Sequence, residues 1–172
     1  MSIENETGTL QSILEKIQDQ AARKMDFTAP TDALQVRTVE GNTNIVVEAN
    51  RGVPTMEFET NEVAFQQLAS NCDIDVRTAR RLRDNENYSP EFDNLINKIL
   101  VNESKQKMLR TFDGEKRLVR AIVSDKFKTF DNVDLVEAAL PQLMESEANW
   151  QIVNGTVTDE RLYMRLKSQN QI

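Results

Sequence analysis

Residues 105–132 read KQKMLRTFDGEKRLVRAIVSDKFKTFDN, and this stretch decides the fold class. The segments "KMLRTF" and "KRLVRAIVS" carry strand-type alternation, and Asp113-Gly114 between them is among the strongest short-range hairpin signals. In the second strand Val119, Ala121 and Val123 are expected to face a core. Lys116, Arg120 and Ser124 then share the other face with Leu118 and Ile122. A two-residue turn sets Arg110 opposite Arg117 and Lys107 opposite Arg120, and like charges directly across a ladder disfavour each other. Two readings stand. A three-residue loop shifts the register and brings Arg110 beside Leu118, or the register holds and a bound phosphate chain relieves the repulsion.

Outward from the hairpin, helices and strands come in groups. Leu10, Ile13, Leu14, Ile17 and Ala21 follow helical spacing, with Thr9 as N-cap. "ALQVRTVE" and "TNIVVEA" flank a Gly41-Asn42 turn, and "TMEFET" alternates as one more strand. Asn61 or Thr60 caps "EVAFQQLASNC". A break at Asp73 leads into the short basic helix "DVRTARRLRDN". Pro90 stands in the first turn of a third helix with Ser89 as its N-cap, and the buried face is expected to be Phe92, Leu95, Ile96, Ile99 and Leu100. After the hairpin, Asp131 or Asn132 starts "NVDLVEAALPQLM", where Pro141 should kink or shorten the helix unless it lies near the end. "NWQIVNGTVT" and "ERLYMRLKS" close the chain as a strand pair turning near Asp159. Grouped rather than alternating elements predict an α+β fold, an antiparallel sheet of hairpins with helices packed on one face. The expected organisation is a disordered 1–8, one domain over 9–167 and a disordered tail at 168–172.

The residue inventory excludes several chemistries. With no histidine and one cysteine, a structural zinc site and Ser-His or Cys-His nucleophile pairs are ruled out. Asp113, Asp125, Asp131 and Asp134 are the carboxylates that could gather for magnesium, but Asp131 and Asp134 stand where a helix N-terminus wants acids. The expectation is a non-enzymatic protein with no cofactor. Cys72 cannot close an internal disulfide and suits a reducing compartment as a small buried residue. The N-terminus has no basic n-region or apolar h-region, and no apolar run reaches a membrane span, so the expected location is the cytoplasm.

Charge is unevenly spread. Residues 77–129 hold 13 Lys/Arg against 8 Asp/Glu, a balance of +5, while the whole chain is −7 and the remainder therefore −12. A locally basic middle can attract phosphates even on an acidic protein. The candidate nucleic-acid-binding residues are Lys105, Lys107, Arg110, Lys116, Arg117, Arg120, Lys126 and Lys128 on the hairpin and its exit, with Arg77, Arg80 and Arg81 on the basic helix. Phe112, Phe127 and Phe130 lie among them as stacking candidates, and Trp150, Tyr163 and Tyr88 elsewhere. The ordinary role of each aromatic is core, and of each cation a solvated face. Residues 61–84 also have the order of a helix-turn-helix, although the spacing alone does not demand one.

From Leu109 through Leu143 the chain resembles the phage/plasmid-like proteins grouped as a domain of unknown function (number 932). The likeness is carried by Val119-Arg120-Ala121, Ser124-Asp125-Lys126-Phe127-Lys128 and Asp131-Asn132 leading into a helix, and by the upstream "NEVAFQQLASNCDIDVRTARRLRDN". It covers about residues 56–167. The resemblance implies a gene of phages or plasmids in a bacterial host and no established activity. Members are generally longer, which implies a short or truncated chain here. The resulting expectation is a protein that binds single-stranded DNA or RNA through the basic hairpin in recombination, annealing or replication. The alternative is a protein-interaction module, with the −12/+5 split allowing a homo-oligomer.

Overall fold

The structure, a computed structural model, describes residues 10–48, 54–146 and 150–168. In chain order these form α1 (Leu10–Arg23), β1 (Phe27–Pro30), β2 (Leu34–Val39), β3 (Asn42–Val47), β4 (Met56–Thr60), α2 (Glu62–Asn71), α3 (Val76–Arg83), α4 (Ser89–Asn102), β5 (Gln106–Phe112), β6 (Leu118–Ser124), α5 (Asn132–Glu145), β7 (Trp150–Val157) and β8 (Leu162–Ser168). The fold is α+β. Where the sequence suggests one domain over 9–167, the chain divides into two compact units, 24–127 and a discontinuous unit of 1–23 with 128–172. The N-terminal segment 1–8 and the Thr9 cap lie outside the described residues, as does 169–172, whereas Ser168 ends β8 rather than starting a tail.

The unit 24–127 is built on a six-stranded sheet of order β1-β5-β6-β4-β3-β2. β2 and β3 join through the two residues Glu40 and Gly41, with φ of 49° and 75°, and Val39 pairs with Asn42. Two consecutive positive φ values are what a two-residue hairpin of matching twist requires. Leu34 and Val36, then Thr43, Ile45 and Val47, then Phe58 and Thr60 alternate onto one face. β4 runs parallel to β6, a pairing of two residues that no local signal announces. The core joins Ile45, Phe58, Leu109 and Val119 of the sheet to Phe65 and Leu68 of α2, Ala79 of α3, and Phe92 and Ile96 of α4. Leu95 is the exception to the expected α4 face: it is 46% exposed, because the helix turns residues 92, 96 and 100 to the sheet instead.

β2 is an edge strand, and α4 occupies its outer hydrogen-bonding groups. Asn97 accepts from the Val36 N–H (2.7 Å) through Oδ1 and donates to the Val36 carbonyl (2.9 Å) through Nδ2. One helical turn earlier, Asp93 accepts from the Thr38 N–H (2.6 Å) and the Thr38 hydroxyl (2.7 Å). The spacing of four between 93 and 97 puts both side chains on one helix face, opposite alternate residues of the strand.

Cys72 is buried in this core beside the α2 C-terminus. Burial foremost, then the negative charges of Glu103 and Asp73, pushes its thiol from the ordinary 9.0 up to about 11. The folded protein therefore keeps this proton where the unfolded chain has begun to lose it. The associated stability is complete below the unfolded value and is lost as pH rises through 9 towards 11. Native protein at pH 8 is expected to react with a thiol-disulfide reagent at least about a hundredfold more slowly than denatured protein, since only an opened state exposes the thiolate. Equal rates in native and denatured samples would refute the burial.

The other unit holds α1, α5 and the two-stranded β7-β8 ribbon. Ile13 and Ile17 of α1 and Val136 of α5 form its core, with Val157, Leu162 and Met164 of the ribbon against them. Helix and ribbon approach at Gly155, where an added Cβ would sit 2.5 Å from Ile13 Cδ1 and 2.8 Å from the Tyr163 carbonyl oxygen. At the start of α5 the Asp131 N–H donates to the Asp134 carboxylate at 2.7 Å, the capping role expected of that pair. Pro141 stands in the penultimate turn, and the helix runs on to Glu145.

Candidate nucleic-acid interface

The hairpin differs from both registers drawn from its sequence. Phe112 pairs with Leu118 and Thr111 with Val119, so residues 113–117 form a five-residue loop. Asp113 holds the loop by accepting from Arg117 Nε at 2.9 Å. With the Gly114 N–H also donating to it, the Asp113 carboxyl lies below its ordinary range, the Arg117 bond being the larger cause. Beyond Thr111 the register shifts, and Arg110 pairs with Ala121. Arg120 is the extra residue of a β-bulge, which explains why Val119 and Ile122, three apart, both enter the core while Ala121 and Val123 are only half-buried.

The bulge decides what the central cations do. Arg110 and Arg120 both turn to Asp26, which residues 24–26 deliver to the end of β5. The Met25 N–H donates to the Thr111 carbonyl (3.0 Å), and the Thr111 N–H donates to Asp26 Oδ1 (3.0 Å). Asp26 Oδ2 then lies 3.2 Å from Arg110 Nε, 3.6 Å from an Arg120 terminal nitrogen and 3.8 Å from Lys24 Nζ. The three side chains Asp26, Arg110 and Arg120 are 9%, 10% and 13% exposed. The Arg120 guanidinium lies over the Phe112 ring at 4.5 Å, and that of Arg110 is 5.6 Å from the Phe127 ring. Arg110 and Arg120 are thus structural cations gathered on a carboxylate, and the expectation that they face an outside phosphate is corrected.

The remaining hairpin candidates are exposed, apart from the half-buried Lys107, and mostly engaged. Lys116 lies 3.6 Å from Glu59, and Lys105 lies 3.8 Å from Glu103. Lys107 Nζ donates to Asn71 Oδ1 at 2.8 Å. Lys126 and, in the other unit, Lys128 are exposed and form no ion pair among the described residues. Surface pairs of this kind contribute about 1 kcal/mol at most and can be exchanged for a ligand.

The basic helix is arranged differently. α2 is capped by Asn61, whose Oδ1 accepts from the Ala64 N–H at 2.9 Å, and α3 by Asp75, which accepts from the Thr78 N–H at 2.9 Å. Residues 72–75 join the two, and Asp73 takes φ 54°, the left-handed position that glycine or a short polar residue occupies in such a turn. Leu68, Ala69, Cys72, Ile74, Ala79 and Leu82 fill the angle between α2 and α3. Arg80 donates to Glu62 through Nε at 2.7 Å, while Arg83 lies 3.6 Å from Glu62 and 4.1 Å over the Phe65 ring. Burial pushes the Glu62 carboxyl up, but bonds from Arg80 and Gln66 and the nearby charges hold it below its ordinary 4.5. Arg77 and Arg81, four apart, stand on the exposed side with no ion pair among the described residues. α3 therefore divides its arginines: 80 and 83 brace the helix pair, 77 and 81 face out.

Of the eleven candidates, six are paired with carboxylates, namely Arg80, Lys105, Arg110, Lys116, Arg117 and Arg120. Exposed cations that the charge count passed over lie on β8, where Arg165 and Lys167 alternate with the apolar residues of "LYMRLKS". No group of three His, Cys, Asp or Glu side chains gathers in metal-binding geometry among the described residues. No described helix is long and apolar enough to cross a membrane. No family model matches the chain, and neither a curated protein nor a solved structure matches it.

Proposed function

We propose that this chain is a non-enzymatic nucleic-acid-binding protein whose contact element is α3, not the 105–128 hairpin. The observation that carries this reading is the pair Arg77 and Arg81, exposed one turn apart on the second of two helices joined by a short turn. Neither is in an ion pair among the described residues, the Arg77 charge acting only at a distance on the capping Asp75. A helix held that way can enter the major groove of duplex DNA, with its free arginines meeting phosphates or base edges. The net charge of −7 limits long-range attraction, so binding is strongest at low salt. The phage or plasmid setting rests on the sequence resemblance alone.

Fluorescence anisotropy with a labelled duplex of about 20 base pairs tests this from about 50 mM salt upwards. Reversing both charges, Arg77→Glu with Arg81→Glu, is expected to weaken binding by at least about tenfold. It should also lower the slope of log affinity against log salt by about 2. Reversing Lys116 and Arg117 on the hairpin loop should leave affinity within about twofold. No binding at low salt, or an α3 variant that binds like the parent, defeats the proposal.

A protein-interaction module is the second reading, and the acid–base pairing of six of the eleven cations within the chain favours it. Size-exclusion chromatography at low and high salt without nucleic acid distinguishes the two. Salt-sensitive self-association points to the module.

A further inference from the structure

We propose that the outer face of the β7-β8 ribbon binds an extended single strand of nucleic acid, stacking a base on Tyr163 and placing phosphates on Arg165 and Lys167. The ribbon has two unlike faces. Leu162, Met164 and Leu166 of β8 pair with Val157, Gly155 and Ile152 of β7, and this side carries the residues that meet α1 and α5. The other side presents Tyr163, Arg165 and Lys167, all exposed, with Tyr163 at 60%. Their cross-strand neighbours are Thr156, Asn154 and Gln151, with the exposed Val153 bulged beside Asn154, so β7 sets uncharged residues and no acid opposite the two cations and the ring. Neither Arg165 nor Lys167 forms an ion pair among the described residues, in contrast to the hairpin. The acids nearest in sequence, Asp159 and Glu160, are confined to the turn.

Alternate residues of a strand stand about 6.5–7 Å apart. Tyr163, Arg165 and Lys167 therefore form a straight row with a ring at one end and two positive charges beyond it. A single strand offers the matching chemistry, a stackable base followed by backbone charges, and every base has a face to stack. An acidic peptide would use the two cations but gain little from the tyrosine. A duplex hides its base faces and cannot use the ring at all. Close contact at Gly155 fixes the ribbon on α1, so the row is held rather than formed on binding.

The full-length chain is titrated into labelled oligothymidylate of about 20 nucleotides from about 50 to 200 mM salt. Tyr163→Ala is expected to bind about tenfold more weakly, while Tyr163→Phe keeps the ring and stays within about twofold of the parent. Arg165→Glu with Lys167→Glu should lower the salt slope by about 1.4, roughly 0.7 for each phosphate lost. The Arg77/Arg81 double reversal should leave single-strand binding unchanged, so this site and the α3 reading succeed or fail separately. Absence of binding, equal affinity of the alanine and parent proteins, or displacement of the oligonucleotide by polyglutamate as readily as by unlabelled strand each overturns the proposal. If the charge-reversed protein loses its far-ultraviolet circular dichroism, the alanine and phenylalanine pair at Tyr163 decides the matter.

Discussion

Replacing Asp26 with alanine is expected to destabilise the 24–127 unit by about 3–5 kcal/mol. The carboxylate is 9% exposed and faces Arg110 and Arg120, themselves 10% and 13% exposed, with Lys24 at 3.8 Å. Removing it takes from two largely desolvated guanidiniums the carboxylate they share, and also takes the acceptor from the Thr111 N–H. The cost arises from the stranded charges, not from any large net worth of the pair. Replacing all three together, Asp26→Leu with Arg110→Met and Arg120→Leu, should therefore recover most of the loss. Urea unfolding followed by circular dichroism measures both proteins. Cys72 adds a local probe, since its native labelling should accelerate by at least about a hundredfold in Asp26→Ala. A loss below about 1 kcal/mol would mean that the cluster is solvated.

Phe58→Ala should cost a similar amount, about 3–5 kcal/mol, by a different route. Phe58 is fully buried on β4 between β3 and β6, with its ring centroid 5.9 Å from that of Phe27. Truncation removes apolar contact and leaves a cavity that neighbouring strands, fixed by their ladders, cannot close. Leu95→Ala is the matched control. Sequence periodicity places Leu95 in the core, yet it is 46% exposed, and its truncation should cost under about 1 kcal/mol. If the two substitutions cost the same, the placement of α4 is wrong.

Local chemistry in the sequence is enough to find most of the elements. Asn61 and the Asp131–Asp134 pair cap helices where a capping side chain is expected, whereas Asp75 caps α3 unannounced and Ser89, the expected cap of α4, is its first helical residue. Glu40-Gly41 turns β2 into β3 within one residue of the anticipated site. What escapes is non-local. A bulge leaves no trace in an alternating string, because "LVRAIVS" reads equally well with or without an extra residue at Arg120. That single insertion sends Ile122 inward and, with it, changes the role assigned to Arg110 and Arg120. Their partner Asp26 is 84 residues away from Arg110 in the chain, beyond the reach of any spacing rule. The parallel contact of β4 with β6 is likewise made across three intervening helices. On β8, by contrast, the alternating Tyr163, Arg165 and Lys167 were visible in the string, and a charge count taken over 77–129 passed them by.

The grip of Asp93 and Asn97 on β2 reaches beyond this one molecule. Lateral polymerisation of sheets, in which one copy's margin zips to the next, needs an accessible seam at both ends of every subunit. Here the seam along Val36 and Thr38 is already taken by a helix of the same chain. Sealing one end is sufficient to stop an endless ribbon of such subunits. Along this sheet, copies can join at most in pairs through the β1 margin, and any larger assembly must grow through other surfaces.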